Sequence, residues 1–264
     1  MKLVERVFTY FICLNFMCVN CLIINVKNQN GIVIKETIKA NLSDDSITLE
    51  LQLPDSTLIT QHIDFTKEVQ IIQVLLLGEE ERGQKPFQIV CFVNHIYPNE
   101  FISPDAMAKL RQKNPSTIRT SEEFKGIFNI SVDLKIKPRE SHDISSHISS
   151  FCSEAHDSTF TRKVDIEKWN SLSGSLIKQY EHTDHKVSKP TLKLCRDTVK
   201  MWTHCLCTME VVIPWYPCAL KFCKDHPNKK STTIESYRCG IHTCTKTFNF
   251  MYNVKHKLQC LSIE

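Results

Sequence analysis

Glycine is scarce in this sequence: six in 264 residues, at positions 31, 78, 83, 126, 174 and 240. That spacing builds no phosphate-cradling loop, which needs clustered glycines to bring backbone N–H groups onto the phosphates. His-Glu-x-x-His and Gly-x-Ser-x-Gly are also missing, and with them the helix-borne zinc protease and nucleophile-elbow chemistries. An excess of one charge is lacking too. Lys and Arg number 33 against 29 Asp and Glu, for a net charge of +4. The densest basic cluster, Lys221, Lys224, Lys229 and Lys230, reads as solvated surface, so no nucleic-acid partner is expected. Asp44-Asp45 and Glu79-Glu80-Glu81 lie in turn-like surroundings, where carboxylates are usually solvated rather than convergent on a substrate. These absences point away from an enzyme and toward a binding protein with no cofactor and no bound metal.

Beyond the first two dozen residues no apolar run is long enough to span a bilayer. The start itself has a leader's shape. Lys2 and Arg6 form a weakly basic opening, an apolar run extends from Val7 to about Cys21, and Val19 and Cys21 are the small residues before the cut. Residues 1–21 are therefore expected to be a signal peptide, with a retained signal anchor as the alternative. The mature chain is expected to be secreted and extracellular, with no stable membrane insertion once the leader is gone.

What the sequence has in quantity is cysteine. Thirteen occur, of which Cys13, Cys18 and Cys21 belong to the leader. Ten remain: Cys91, Cys152, Cys195, Cys205, Cys207, Cys218, Cys223, Cys239, Cys244 and Cys260. An even, dense set behind a leader implies five bridges formed in an oxidising compartment. Cys91 and Cys152 are the only two before the Cys-rich tail, so parity pairs them. Closing that loop is worth roughly 4 kcal/mol in the chain-entropy treatment. Cys91 lies within an apolar strand, where a structural bridge suits it better than a reactive thiol. The other eight allow 105 pairings, which the sequence does not choose among, except that Cys205 and Cys207 go to different partners. With His204 and His242 nearby, zinc is the alternative for this set, and the oxidising address favours disulfides. Two sequons, Asn41-Leu42-Ser43 and Asn129-Ile130-Ser131, mark Asn41 and Asn129 as glycan acceptors.

The periodicity predicts an α+β fold, an antiparallel sheet with helices packed on it, followed by a small disulfide-rich C-terminal domain. Leu22–Lys27 and Ile32–Glu36 flank an Asn-Gly turn. Ile47, Leu49, Leu51 and Leu53 alternate with polar residues, and Leu58–Ile63 returns after Pro54-Asp55-Ser56. Val69–Leu77 and Phe87–Val93 are nearly continuous apolar runs, suited to central strands covered on both faces. Ser103-Pro104-Asp105 starts a helix that Asn114-Pro115 stops. Phe128 to Ile136 alternates as one strand with Asn129 on its wet face. The divisions expected are a first domain over 22–160, a linker over 161–190 and a Cys-rich domain over 191–264. Eight of the ten mature cysteines fall in that last stretch, where bridges replace a core too small to hold alone. A closing strand is expected at Lys246–Val254. Arg162-Lys163 is a dibasic pair, read as surface or as a processing site.

Asp44–Leu53 (DDSITLELQL), Asp64–Val74 (DFTKEVQIIQV), Phe87–Val93 (FQIVCFV), Ala106–Pro115 (AMAKLRQKNP) and Trp215–Cys223 (WYPCALKFC) closely resemble the out at first family of secreted proteins, across essentially the whole mature chain. That resemblance implies an N-terminal BRICHOS-like domain, an antiparallel sheet with helices on its two faces. Asp64 after a strand, Cys91 before Phe92-Val93, and Cys152 after a polar stretch resemble that module's characteristic aspartate and two cysteines. BRICHOS modules are linked to chaperone-like shielding of β-prone segments. The expected function is thus extracellular binding of a protein or a β-prone peptide segment. The alternative is a soluble developmental ligand acting through the Cys-rich part. Asp64, between Ile63 and Phe65, is expected to hold a turn by accepting backbone hydrogen bonds, or, if buried, to sense pH.

Overall fold

The computed structural model describes residues 21–28, 30–78, 80–82, 84–174, 177, 180–182, 192–224 and 236–261. The expected signal peptide lies outside them except for Cys21, which opens the first strand. Six strands then run as an antiparallel meander: β1 (Cys21–Lys27), β2 (Val33–Asn41), β3 (Ser46–Gln52), β4 (Leu58–Asp64), β5 (Val69–Leu77) and β6 (Phe87–His95). Short turns join the first five, and Gly31 takes the left-handed φ of +82° that an L side chain resists. The chain continues through α1 (Pro104–Ala108), β7 (Ile118–Arg119), β8 (Glu123–Val132), β9 (Leu134–Ile136), α2 (His147–Cys152), β10 (Thr159–Thr161), α3 (Lys163–Ser173) and β11 (Tyr180–His182). It ends in two long strands, β12 (Cys205–Lys224) and β13 (Ser236–Val254).

These strands form a ten-stranded sheet, ordered β11-β9-β10-β6-β5-β4-β3-β2-β1-β7, and a three-stranded sheet, β12-β13-β8. The period of two along each strand decides what lies between them. On β5 and β6, Ile72, Val74, Val90 and Phe92 enter a core shared with Met209, Val211, Phe248, Phe250 and Tyr252 of the small sheet. Val69, Ile71, Cys91 and Val93 face the other way, into a second core with Ile148 and Cys152 of α2 and Ile166 and Trp169 of α3. Both faces of these two strands are dry, which is why their sequences do not alternate. Phe92 stacks on Phe250 across the two sheets, with ring centroids 3.9 Å apart and planes within 1° of parallel. Helix α1 covers β2 from the inner side with Ala106 and Met107. Ser103 caps it by accepting from the Ala106 N–H at 3.3 Å.

Three expectations change. The stretch 161–190 is not a linker over its first part, because α3 buries Ile166 and Trp169 against the large sheet. Gly174 ends that helix at φ +66°. Residues 183–190 lie outside the described set. Second, the Cys-rich tail is not a separate small domain. A hairpin of two strands near twenty residues has an apolar face of its own, and it buries that face on the large sheet while β13 pairs in parallel with β8 of the N-terminal half. Third, the run from Phe128 to Ile136 is not one strand. It breaks at Asp133, β8 going to the small sheet and β9 to the large one. The Asp133 carboxylate accepts from the Lys163 N–H at 2.9 Å, so the break also caps α3.

Candidate functional site

Asp64 ends β4 beneath α2 and is buried. Its Oδ1 accepts from the Thr66 N–H at 3.1 Å, the Thr66 hydroxyl at 2.6 Å and the Lys67 N–H at 3.0 Å. Its Oδ2 accepts from the Ser145 hydroxyl at 2.7 Å. One carboxylate thus holds the β4–β5 turn and fastens the segment leading into α2 to the sheet. His62, two residues earlier on the same face, stacks on Phe151 with centroids 4.5 Å apart and meets His147 at 4.4 Å. Its Nδ1 hydrogen-bonds the Thr48 hydroxyl at 2.9 Å, and its buried Nε2 has no partner among the described residues. Burial first, then the neighbouring His147, lower its pKa to about 4, partly offset by the Asp64 charge. The serine hydroxyl is engaged with Asp64 and the histidine with Thr48, so these residues do not line up as nucleophile, base and orienting acid. They form a polar seam between sheet and helix. Beside it, Cys91 and Cys152 join β6 to α2.

The small sheet offers a different feature. β13 pairs β8 along one edge, and among the described residues no strand pairs the other. The register slips between Thr245 and Thr247 of β13, where Gly126 of β8 adopts φ +102°, as in a bulge. Phe124 and Ile127 stand opposite Thr245 and Thr247, on the face away from the large sheet, and both are more than half exposed. A charged clasp holds the start of this strand. His242 contacts Glu122 through Nδ1 and Glu123 through Nε2, each at 2.7 Å. Lys221 lies 2.7 Å from Glu122 and Lys125 2.7 Å from Glu123. The bond from Lys221 lowers the Glu122 pKa, and the bond from Lys125 that of Glu123, with His242 adding to both.

The remaining cysteines pair as Cys195–Cys205, Cys207–Cys260, Cys218–Cys244 and Cys223–Cys239. The last two are cross-links along the β12–β13 hairpin. Cys218, Cys244 and His242 bring donor atoms within 4.8 Å of one another, but the bridge takes both sulfurs, and a metal would need them as thiolates. Of the basic cluster, Lys221 serves the clasp, and Lys229 and Lys230 lie outside the described residues. Both sequon asparagines are exposed. Asn41 donates to Asp44 at 2.6 Å and accepts from the Ser43 hydroxyl at 2.7 Å. Asn129 lies on β8 itself and accepts from the Asn249 amide at 2.9 Å.

Both halves of the chain match models of one family, described as "Out at first" over residues 20–169 and "Out at first, C-terminal" over residues 194–264. The chain belongs to the out at first family. The Out at first protein of Drosophila virilis is 47% identical over 247 residues, covering 91% of this chain and 81% of that protein. The Drosophila melanogaster protein is 45% identical over 248 residues, covering 91% of this chain and 51% of that protein, so the chain spans about half of its length. No solved structure matches. In this out at first chain two polar residues escaped sequence reasoning, His62 and Glu36, while His242, considered there beside zinc, instead joins Glu122 and Glu123. Glu36 lies on the inner face of β2 between Ile34 and Ile38, fully buried, with neither carboxylate oxygen partnered among the described residues, and burial raises its pKa well above the usual range. One signal was present, since Glu36 occupies an apolar phase of its strand.

Proposed function

We propose that this chain is a secreted, non-enzymatic binding module that holds extended β-prone segments by adding them as a strand to the open edge of β8. The observation that carries the reading is that edge, unpaired among the described residues and flanked by exposed Phe124 and Ile127. Strand addition gives affinity through backbone hydrogen bonds and selects partners through alternate side chains. Proteins usually blunt or cover such an edge. Secretion is supported by the five bridges, which belong to an oxidising compartment. A BRICHOS-like N-terminal half is supported by helices on both faces of the antiparallel meander and by Asp64 and the Cys91–Cys152 bridge, which fasten the two ends of the Ser145–Cys152 segment to the sheet.

The test needs the whole mature chain, because a 22–160 fragment would lack β13, the strand that holds β8. An unrelated β-prone peptide is aggregated with and without the oxidised protein. Stoichiometric protein is expected to delay fibril growth, and Ile127→Asp to weaken the delay without changing stability. No delay at stoichiometric amounts sinks the reading.

A further inference from the structure

The loop from Cys195 to Cys205 has a feature that strand addition does not use. Its ends are joined by a disulfide, and its tip shows apolar side chains to solvent. Val199 is 93% exposed and Trp202 74%, with Met201 beside them also exposed. The loop is held from both sides. Lys257 donates its backbone N–H to Met201 O at 2.9 Å and its ammonium to Thr198 O at 2.6 Å. Thr198 returns to the loop base through its N–H to Cys195 O at 3.2 Å and its hydroxyl to Leu194 O at 3.1 Å. Trp202 rests edge-on against His256, with centroids 5.3 Å apart. A second bridge, Cys207–Cys260, anchors the supporting turn. The apolar tip is therefore displayed in a fixed shape, so little ordering cost remains to be met on binding.

The charges around it choose the partner. The loop and its support carry Lys193, Arg196, Lys200, Lys255 and Lys257 against one acid, Asp197, itself 3.8 Å from Arg196. A basic surface alone would suit any polyanion, and an apolar tip alone any hydrophobic groove. Together, a tryptophan-led tip on a loop and support rich in basic residues matches the boundary of a bilayer, where the indole settles at headgroup depth and cations meet anionic lipid. We propose that the Cys195–Cys205 loop docks the protein peripherally on membrane surfaces bearing anionic headgroups. This docking involves no spanning segment and does not depend on the β8 edge.

The protein carries its own reporter. Its three tryptophans are Trp169, Trp202 and Trp215. Trp169 and Trp215 are 3% and 2% exposed, so an emission change on vesicle contact belongs to Trp202. The oxidised mature chain is mixed with phosphatidylcholine vesicles with and without phosphatidylserine, and followed by emission and co-sedimentation. A blue shift and at least roughly tenfold tighter binding to the anionic vesicles are expected, weakening with salt. Trp202→Ala and Lys200→Glu should each lose roughly tenfold in co-sedimentation. Val199→Asp should do the same while the signal of Trp202 remains, and denaturation midpoints should match the wild type throughout. An unmoved emission spectrum, equal binding to neutral vesicles, or a Trp202→Ala variant that binds like the wild type overturns the proposal. Capture of a cell-surface protein through this loop, with vesicles leaving Trp202 unmoved, would replace the lipid with a protein receptor.

Discussion

Lowering the pH from about 7 to below 4 is expected to cost this protein about 3 kcal/mol of stability through His62 alone. The folded-state value is about 4 against an ordinary 6.5, and each unit of that gap corresponds to about 1.4 kcal/mol. The sign follows from the direction. A depressed histidine binds its proton more weakly in the folded state, so between the two values the unfolded chain takes up more protons and stability falls as pH falls. The physical cost is plain in the geometry. A protonated ring would place an N–H at Nε2, where no acceptor lies among the described residues, with a His147 ring 4.4 Å away. Asp64 returns part of this by favouring the charged form. The assay is urea denaturation of the disulfide-intact chain at several pH values between about 4 and 7.5, for the wild type and for His62→Gln, which keeps a group able to bond Thr48. The variant is expected to start less stable for want of the stacked ring and to lose about 3 kcal/mol less on acidification. Identical pH slopes for the two proteins, or a His62 ring that titrates by NMR near 6.5, would refute the reasoning.

Glu36→Gln should raise stability by about 1–3 kcal/mol near pH 8, because it removes a carboxyl that at that pH must either ionise without a partner or hold its proton against bulk water. With the folded value raised, the stability Glu36 allows is present below about 4.5 and is lost as pH rises, so the gain should fade toward pH 4 in the same urea series. Asp64→Ala should cost roughly 3 kcal/mol by urea denaturation, leaving the Ser145 and Thr66 hydroxyls and two backbone N–H groups unmatched, whereas Asp64→Asn, which keeps an acceptor oxygen at Oδ1, should cost less. Phe250→Ala removes the ring stacked on Phe92 between the two sheets and should cost roughly 3–5 kcal/mol, in a single transition that melts both halves together. Two separate transitions would show that the halves do not share one core.

Strands of the N-terminal half were legible wherever burial had one rule. Ile47, Leu49 and Leu51 alternate because one face of β3 is wet. Val69–Leu77 does not alternate because β5 is covered on both faces, and the sequence shows both facts directly. Phe128–Ile136 misled for the opposite reason. Its alternation continues unbroken through Asp133, while the chain crosses there from one sheet to the other, and periodicity carries no record of which sheet receives an apolar face. The parallel pairing of β8 with β13 joins residues about 120 apart, and no local signal encodes such a contact. Trp169 falls in the stretch expected as a linker because the Ser171–Ser175 run that follows marks a break in the chain and nothing local shows that the helix before it packs on the large sheet. The turn-holding geometry of Asp64 follows from an aspartate at a strand end. The pairing of the eight C-terminal cysteines does not: Cys218–Cys244 and Cys223–Cys239 depend on the register of a hairpin that Pro214 and Pro217 interrupt at register shifts in β12, and Cys195–Cys205 and Cys207–Cys260 on how the segments flanking that hairpin fold back onto it.

His62 and Glu36 lie on opposite faces of the same ten-stranded sheet. His62 faces α2, and Glu36 faces the core shared with the small sheet. Their burial has opposite consequences for pH: acid weakens the helix-covered face through His62, and base weakens the inter-sheet face through Glu36. A core assembled for stability alone would hold neither group, since an apolar residue of similar size fits either position without an unpartnered polar atom. Their joint presence confines the protein's best stability to a window between their titrations.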